Sequence, residues 1–88
     1  MYDVIVSATF AKQFRGLPKT FQKRIRAALD AIAADPFTPR SGADIKALHA
    51  TDPPKHRIRV GAYRVIYVIN GKTVKIIEVF ARERGYHE

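Results

Sequence analysis

Hydrophobic positions along the chain change period twice. Tyr2, Val4 and Val6 alternate with Asp3 and Ile5, which predicts a first strand. Ser7 is a good N-cap for a short helix in which Phe10 and Phe14 lie four apart on one face, and Gly16 breaks that helix. Pro18 suits the first turn of a second helix. Leu17, Phe21, Ile25, Ala28, Leu29 and Ile32 recur there at helical spacing, with Lys19, Lys23, Arg24 and Arg26 on the opposite side. Asp35-Pro36 ends it. The two helices are expected to form a hairpin that lays one apolar stripe on a sheet. Residues 36–54 carry Pro36, Pro39, Gly42, Pro53 and Pro54 and read as irregular, with Ile45 and Leu48 anchoring the middle to the core.

The period then returns to two. Lys55–Val60, Tyr63–Ile69 and Thr73–Ala81 read as three strands, joined by Gly61-Ala62 and by Asn70-Gly71, a strong type I′ hairpin signal. The order is β-α-α-β-β-β. This is an α+β class of fold, a helix hairpin packed on one face of a small, mainly antiparallel sheet, in a single domain of residues 1–88. With two-residue loops, Val60 opposes Tyr63 and Arg59 opposes Arg64, while Ile69 opposes Lys72 and Arg64 opposes Ile77. One face then collects Ile58, Val60, Val65, Tyr67, Ile69, Val74, Ile76 and Phe80, and the helices should cover it. The other collects Lys55, Arg57, Arg59, Arg64 and Lys75 beside an apolar strip of Ile66, Val68, Ile77 and Val79, which is expected to lie under the 36–54 loop or under a partner.

Composition narrows the chemistry. Without cysteine there is neither a disulfide framework nor a thiolate metal site. His49, His56 and His87 have no ligand spacing and no carboxylate cluster beside them, so neither metal nor cofactor is expected, and His56 is expected at the edge of the core. Serine or cysteine nucleophile motifs, glycine-rich phosphate loops and helix-turn-helix signals do not occur. The start MYDVIVSATF does not resemble a signal peptide, and no apolar run approaches a membrane span, so a cytoplasmic location is expected. The net charge of +8 favours a polyanionic partner, nucleic acid being the simplest, although an acidic protein also fits.

The charge is also patterned. Lys55, Arg57 and Arg59 alternate and so point the same way, where neighbouring cations repel unless an anion lies across them. Arg59 opposite Arg64 brings two guanidinium forks together, and such forks grip phosphate oxygens in pairs. Arg82 and Arg84 follow where the last strand ends, and Tyr86 offers a phenol that can stack on a base or hand over a proton. The group suits a scissile phosphate with charge growing on it. On composition alone, a patch that binds RNA or an acidic partner without cutting is favoured.

The run R-I-R-V-G-A-Y-R-V-I-Y, followed by A-R-E-R-G-Y, resembles the RelE/ParE superfamily of toxin–antitoxin toxins, on the RelE side, and the resemblance extends over nearly the whole chain. It implies a ribosome-dependent, metal-independent endonuclease that cleaves mRNA in the A site with the RNA 2′-hydroxyl as nucleophile. It implies as partners the ribosome, mRNA and a neutralising RelB-like antitoxin. By the same resemblance Arg59, Arg64, Arg82 and Tyr86 are the catalytic candidates, and Lys55, Arg57 and Arg84 the substrate-binding ones. Two alternatives stay open: a ParE-like inhibitor of DNA gyrase on the same fold, and a non-catalytic member that only binds RNA or antitoxin.

Two departures from the family pattern and one geometric point bear on mechanism. Arg57 and Arg59 stand where the best-known pattern has lysines. Arginine stays protonated, so these two orient and stabilise rather than abstract a proton, and Lys55 is a substitute candidate. Tyr86 sits closer to the R-E-R motif than in that pattern. Strict alternation also puts Arg82 on the core face, away from Arg64, unless the last strand bends, bulges or ends first.

Overall fold

The computed structural model describes residues 1–48 and 53–81. Its elements run β1 (Asp3–Val6), α1 (Ala8–Arg15), α2 (Lys19–Ala34), β2 (Asp44–Leu48), β3 (Lys55–Val60), β4 (Tyr63–Asn70) and β5 (Thr73–Ala81). The five strands form one sheet in the order β1-β5-β4-β3-β2. All pairs are antiparallel except β1 with β5, which is parallel. No described helix is long and apolar enough to cross a membrane.

Local chemistry sets the helix ends. Ser7 is extended, and its Oγ accepts from the Phe10 amide at 2.9 Å, supplying one of the donors that a helix start leaves unmet. Gln22 Nε2 donates to the carbonyls of Phe14 (3.1 Å) and Leu17 (3.0 Å), so one amide ties the end of α1 to the first turns of α2. After α2, the Asp35 carboxylate accepts from the amides of Phe37 and Thr38. Arg40 donates to the carbonyls of Ala31, Asp35 and Thr38 and so satisfies groups at the helix C-terminus.

The strand β2 corrects the reading of 36–54 as wholly irregular. Its five residues pair with β3 in the register Asp44↔Arg59, Ile45↔Ile58 and Lys46↔Arg57. Ile45 is buried in the core while Asp44 and Lys46 are exposed. A five-residue edge strand flanked by prolines gives little periodic signal.

The β4–β5 register is a second correction. The two-residue turn is Gly71-Lys72 rather than Asn70-Gly71, and Asn70 pairs with Thr73. Within this turn Gly71 takes a positive φ (62°), and no described non-glycine residue does. This is the Gly-X arrangement of a type II′ turn, whereas type I′ would also need Asn70 left-handed. The register then slips once more between Ile66 and Tyr67: Tyr67 pairs with Ile76 but Ile66 with Glu78, leaving Ile77 as the extra residue of a bulge. A one-residue insertion inverts side-chain parity beyond it. Val79 therefore packs in the core opposite Val65, and Phe80 takes the other face opposite Arg64, the reverse of the expected assignment.

The bulge is clasped from the helix layer. Ser7 Oγ donates to the Ile77 carbonyl at 2.6 Å, and Gln13 Oε1 accepts from the Val79 amide at 2.7 Å. The same serine hydroxyl thus caps α1 and fixes the distorted strand. Beneath lies the core of Phe10, Ile25, Ala28, Ile32, Ile45, Ile58, Val65, Tyr67, Val74, Ile76 and Val79. Tyr67 is fully buried, and its hydroxyl donates to the Pro36 carbonyl at 2.8 Å. His56 lies on the Tyr67 ring, with centroids 5.5 Å apart.

Candidate functional site

The sheet face turned away from the core carries the charge. Along β3, alternation places Lys55, Arg57 and Arg59 together, and β4 adds Arg64 directly opposite Arg59. That pair sits one step beyond Val60↔Tyr63, which closes a two-residue turn. It is therefore a non-hydrogen-bonded site, where opposite Cα atoms come within about 4.5 Å and side chains are closest. Like charges directly opposite are destabilising, so stability does not explain the choice.

Part of the counter-charge is internal. Asp44, on the strand missing from the sequence reading, offers Oδ1 to Arg57 at 3.4 Å and Oδ2 to Arg59 at 3.9 Å. Arg57 Nη1 also donates to the Asp44 carbonyl at 3.1 Å. Asp44 is more than half exposed, so water screens both ion pairs and their worth is small. They act on geometry, holding the Arg57 and Arg59 side chains toward one edge. Arg57 and Arg64 are each only 8% exposed, unusually low for arginine.

Ile66 lies between Arg57 and Glu78 in the register and is 2% exposed. The make-up of the expected apolar strip is therefore corrected: Ile66 at its centre is buried, but Val79 belongs to the core and Phe80 enters beside Arg64. At the Arg59 end, Arg24, Arg40, Asp44, Arg59 and Gly61 line an open cleft of about 360 Å³. Arg24 stacks over Phe21 at 5.1 Å there, leaving its guanidinium edge toward the cleft.

Of the residues singled out in sequence, Lys55, Arg57, Arg59 and Arg64 share one face, with Lys55 at the far end of β3. Arg82, Arg84, Tyr86, His49 and His87 lie outside the described residues. Sequence reasoning missed Asp44 and Glu78. Asp44 was hidden by the unrecognised edge strand. Glu78 has core-face parity until the bulge is counted. Among the described residues no group of three His, Cys, Asp or Glu side chains could hold a metal ion.

A helix hairpin over a five-strand sheet, with arginines on the face away from the helices, defines a RelE/ParE-type domain. The chain belongs to the family described as ParE toxin of type II toxin–antitoxin system, parDE, whose model matches residues 4–86. Among solved structures it is similar to the archaeal RelE–RelB complex from Pyrococcus horikoshii, at 32% identity over 96% of this chain and 98% of that one, with a TM-score of 0.80. The RelB–RelE antitoxin–toxin complex from Methanococcus jannaschii matches at 26% identity, covering 90% and 91%, with a TM-score of 0.75. The intact Escherichia coli RelBE complex shares the fold at 23% identity, covering 96% and 100%, with a TM-score of 0.64. No protein of curated function matches the chain in sequence.

Proposed function

We propose that this toxin is a ribosome-dependent, metal-independent mRNA endonuclease that cuts in the A site and so stops translation. The observation that carries the reading is the Arg59–Arg64 pair, two arginines directly opposed in register at a close cross-strand site, with Arg57 on the same face. Their forks grip the scissile phosphate and stabilise the charge that grows on it when the RNA 2′-hydroxyl attacks. Arg57 positions the backbone, and the Arg24-lined cleft extends the cationic path beyond Arg59. We assign Arg82, which lies outside the described residues, to the same phosphate as Arg59 and Arg64. Arg84 then serves substrate binding and Tyr86 stacking or proton relay.

The partner we assign is a RelB-like antitoxin covering part of the arginine face. Support comes from the similar toxins of Pyrococcus horikoshii and Methanococcus jannaschii, both in complexes with RelB.

Purified translation with the mRNA ends mapped tests the reading. The toxin should stop synthesis and leave cuts in the A-site codon, and Arg59→Ala or Arg64→Ala should slow cutting by about 10²–10³-fold, the usual loss for one oxyanion-stabilising donor. Arrested synthesis beside intact mRNA eliminates the nuclease. The match to the ParE family favours a second reading, inhibition of DNA gyrase. Blocked supercoiling by pure gyrase, with translation unaffected, would select it.

A further inference from the structure

Cleavage through a 2′-hydroxyl needs a group to take its proton, and the arginines cannot do so. Lys55 is badly placed: it stands four residues from Arg59 along β3, about 13 Å at strand rise. Among the described residues, two carboxylates lie close to the arginine pair. Asp44 has both oxygens engaged, one with Arg57 and one with Arg59. Glu78 is half-buried on the same face, opposite Ile66 and diagonal to Arg64, and its carboxylate makes no hydrogen bond or ion pair among the described residues. Side chains at such diagonal positions start about 7–8 Å apart, within reach of an arginine and a glutamate around one phosphodiester.

Glu78 is there only because of the bulge. Without the extra residue Ile77 it would point into the core, where an unpaired carboxylate is costly. Ser7 and Gln13 hold that bulge from α1 with hydrogen bonds of 2.6 and 2.7 Å, so the carboxylate is carried on a fixed strand.

We propose that Glu78 is the general base of the cleavage, an assignment that rests on the nuclease reading above. Its carboxylate takes the proton of the 2′-hydroxyl. O2′ then forms a bond to the adjacent phosphorus as the bond from phosphorus to O5′ breaks, while Arg59 and Arg64 carry the charge on the phosphoryl oxygens. The products are a 2′,3′-cyclic phosphate and a 5′-hydroxyl. The departing O5′ takes its proton from water, and the hydroxide left behind removes the proton from Glu78. Nothing is oxidised or reduced.

The test is single-turnover cleavage of mRNA on programmed ribosomes by wild type, Glu78→Gln, Glu78→Ala and Asp44→Asn, with ribosome binding measured alongside. Glu78→Gln should bind within twofold of wild type yet cut about 10²–10⁴-fold more slowly, the usual contribution of a general base. Added formate should restore part of the rate to Glu78→Ala, which a purely structural role would not allow. Glu78→Gln cutting at the wild-type rate overturns the assignment and leaves the nuclease intact. So does a loss of ribosome binding that accounts for the slower cutting, or a failure of formate to rescue. Loss confined to Asp44→Asn would transfer the role to Asp44. Wild-type protein that leaves mRNA uncut defeats the nuclease reading and this one with it.

Discussion

Replacing Ser7 with alanine removes two hydrogen bonds through one oxygen. The first is the N-cap bond from the Phe10 amide at 2.9 Å. Losing a serine cap costs about 1 kcal/mol. The second is the 2.6 Å bond to the Ile77 carbonyl, 70 residues away in sequence and partly shielded from water. Leaving that acceptor unmet costs about 1 kcal/mol more, the low end of the range for a lost partner because water retains some access. The sum of about 2 kcal/mol corresponds to a fall in Tm of about 8–16 °C for a domain of this size. Circular dichroism melts of wild type, Ser7→Ala and Ser7→Thr measure it. Threonine keeps the hydroxyl and should recover most of the loss. A Ser7→Ala melt within about 4 °C of wild type would show that water replaces both bonds, and that the hydroxyl neither caps α1 nor clasps the bulge to any useful degree.

Four further outcomes are expected. Gly61→Ala should destabilise more than Gly71→Ala: both glycines have φ near +60°, but a Cβ at Gly61 would meet Phe21 and Arg24 at 3.1 Å while one at Gly71 meets nothing, so the difference in denaturation midpoints isolates packing. Tyr67→Phe should cost about 1–2 kcal/mol by leaving the Pro36 carbonyl unmet. Burial also pushes the Tyr67 hydroxyl well above its ordinary 10.0, so the neutral form is favoured in the folded state; wild type should lose stability as pH rises above 10, and Tyr67→Phe should lose less, read from melts between pH 9 and 11.5. Asp35 runs the other way. Hydrogen bonds from the Thr38 hydroxyl and the Phe37 amide hold its carboxyl below 3.8, so its contribution is present above that pH and fades as pH falls further, and melts from pH 5 to 2 should drop more steeply for wild type than for Asp35→Asn.

How much was legible follows from how local each signal is. The helices were readable because Ser7, Gly16, Pro18 and Asp35 mark their ends chemically and the apolar stripe between them is long. Arg59 opposite Arg64 was readable because a two-residue turn fixes its own register. The second hairpin was misread by two positions because Asn-Gly is the stronger dipeptide signal, yet Gly71-Lys72 makes the turn. The bulge has no local signature at all. It is specified by Ser7 and Gln13, which are some 65–70 residues distant, so the parity of Glu78, Val79 and Phe80 could not be read along the strand. Asp44 was hidden for a similar reason: β2 is recognisable chiefly by what it pairs with.

The parallel pairing of the first strand with the last has a consequence for biosynthesis. Tyr2 to Ser7 emerge first, yet the backbone they bond to, Lys72 through Ile77, is made close to the end of the described chain. Such far-separated contacts form late, since the loop must close before they give any return. A nascent toxin therefore lacks the clasp that turns Glu78 outward until Ile77 to Val79 have been made and have left the ribosome. On the nuclease reading, that delay shields the ribosome making it.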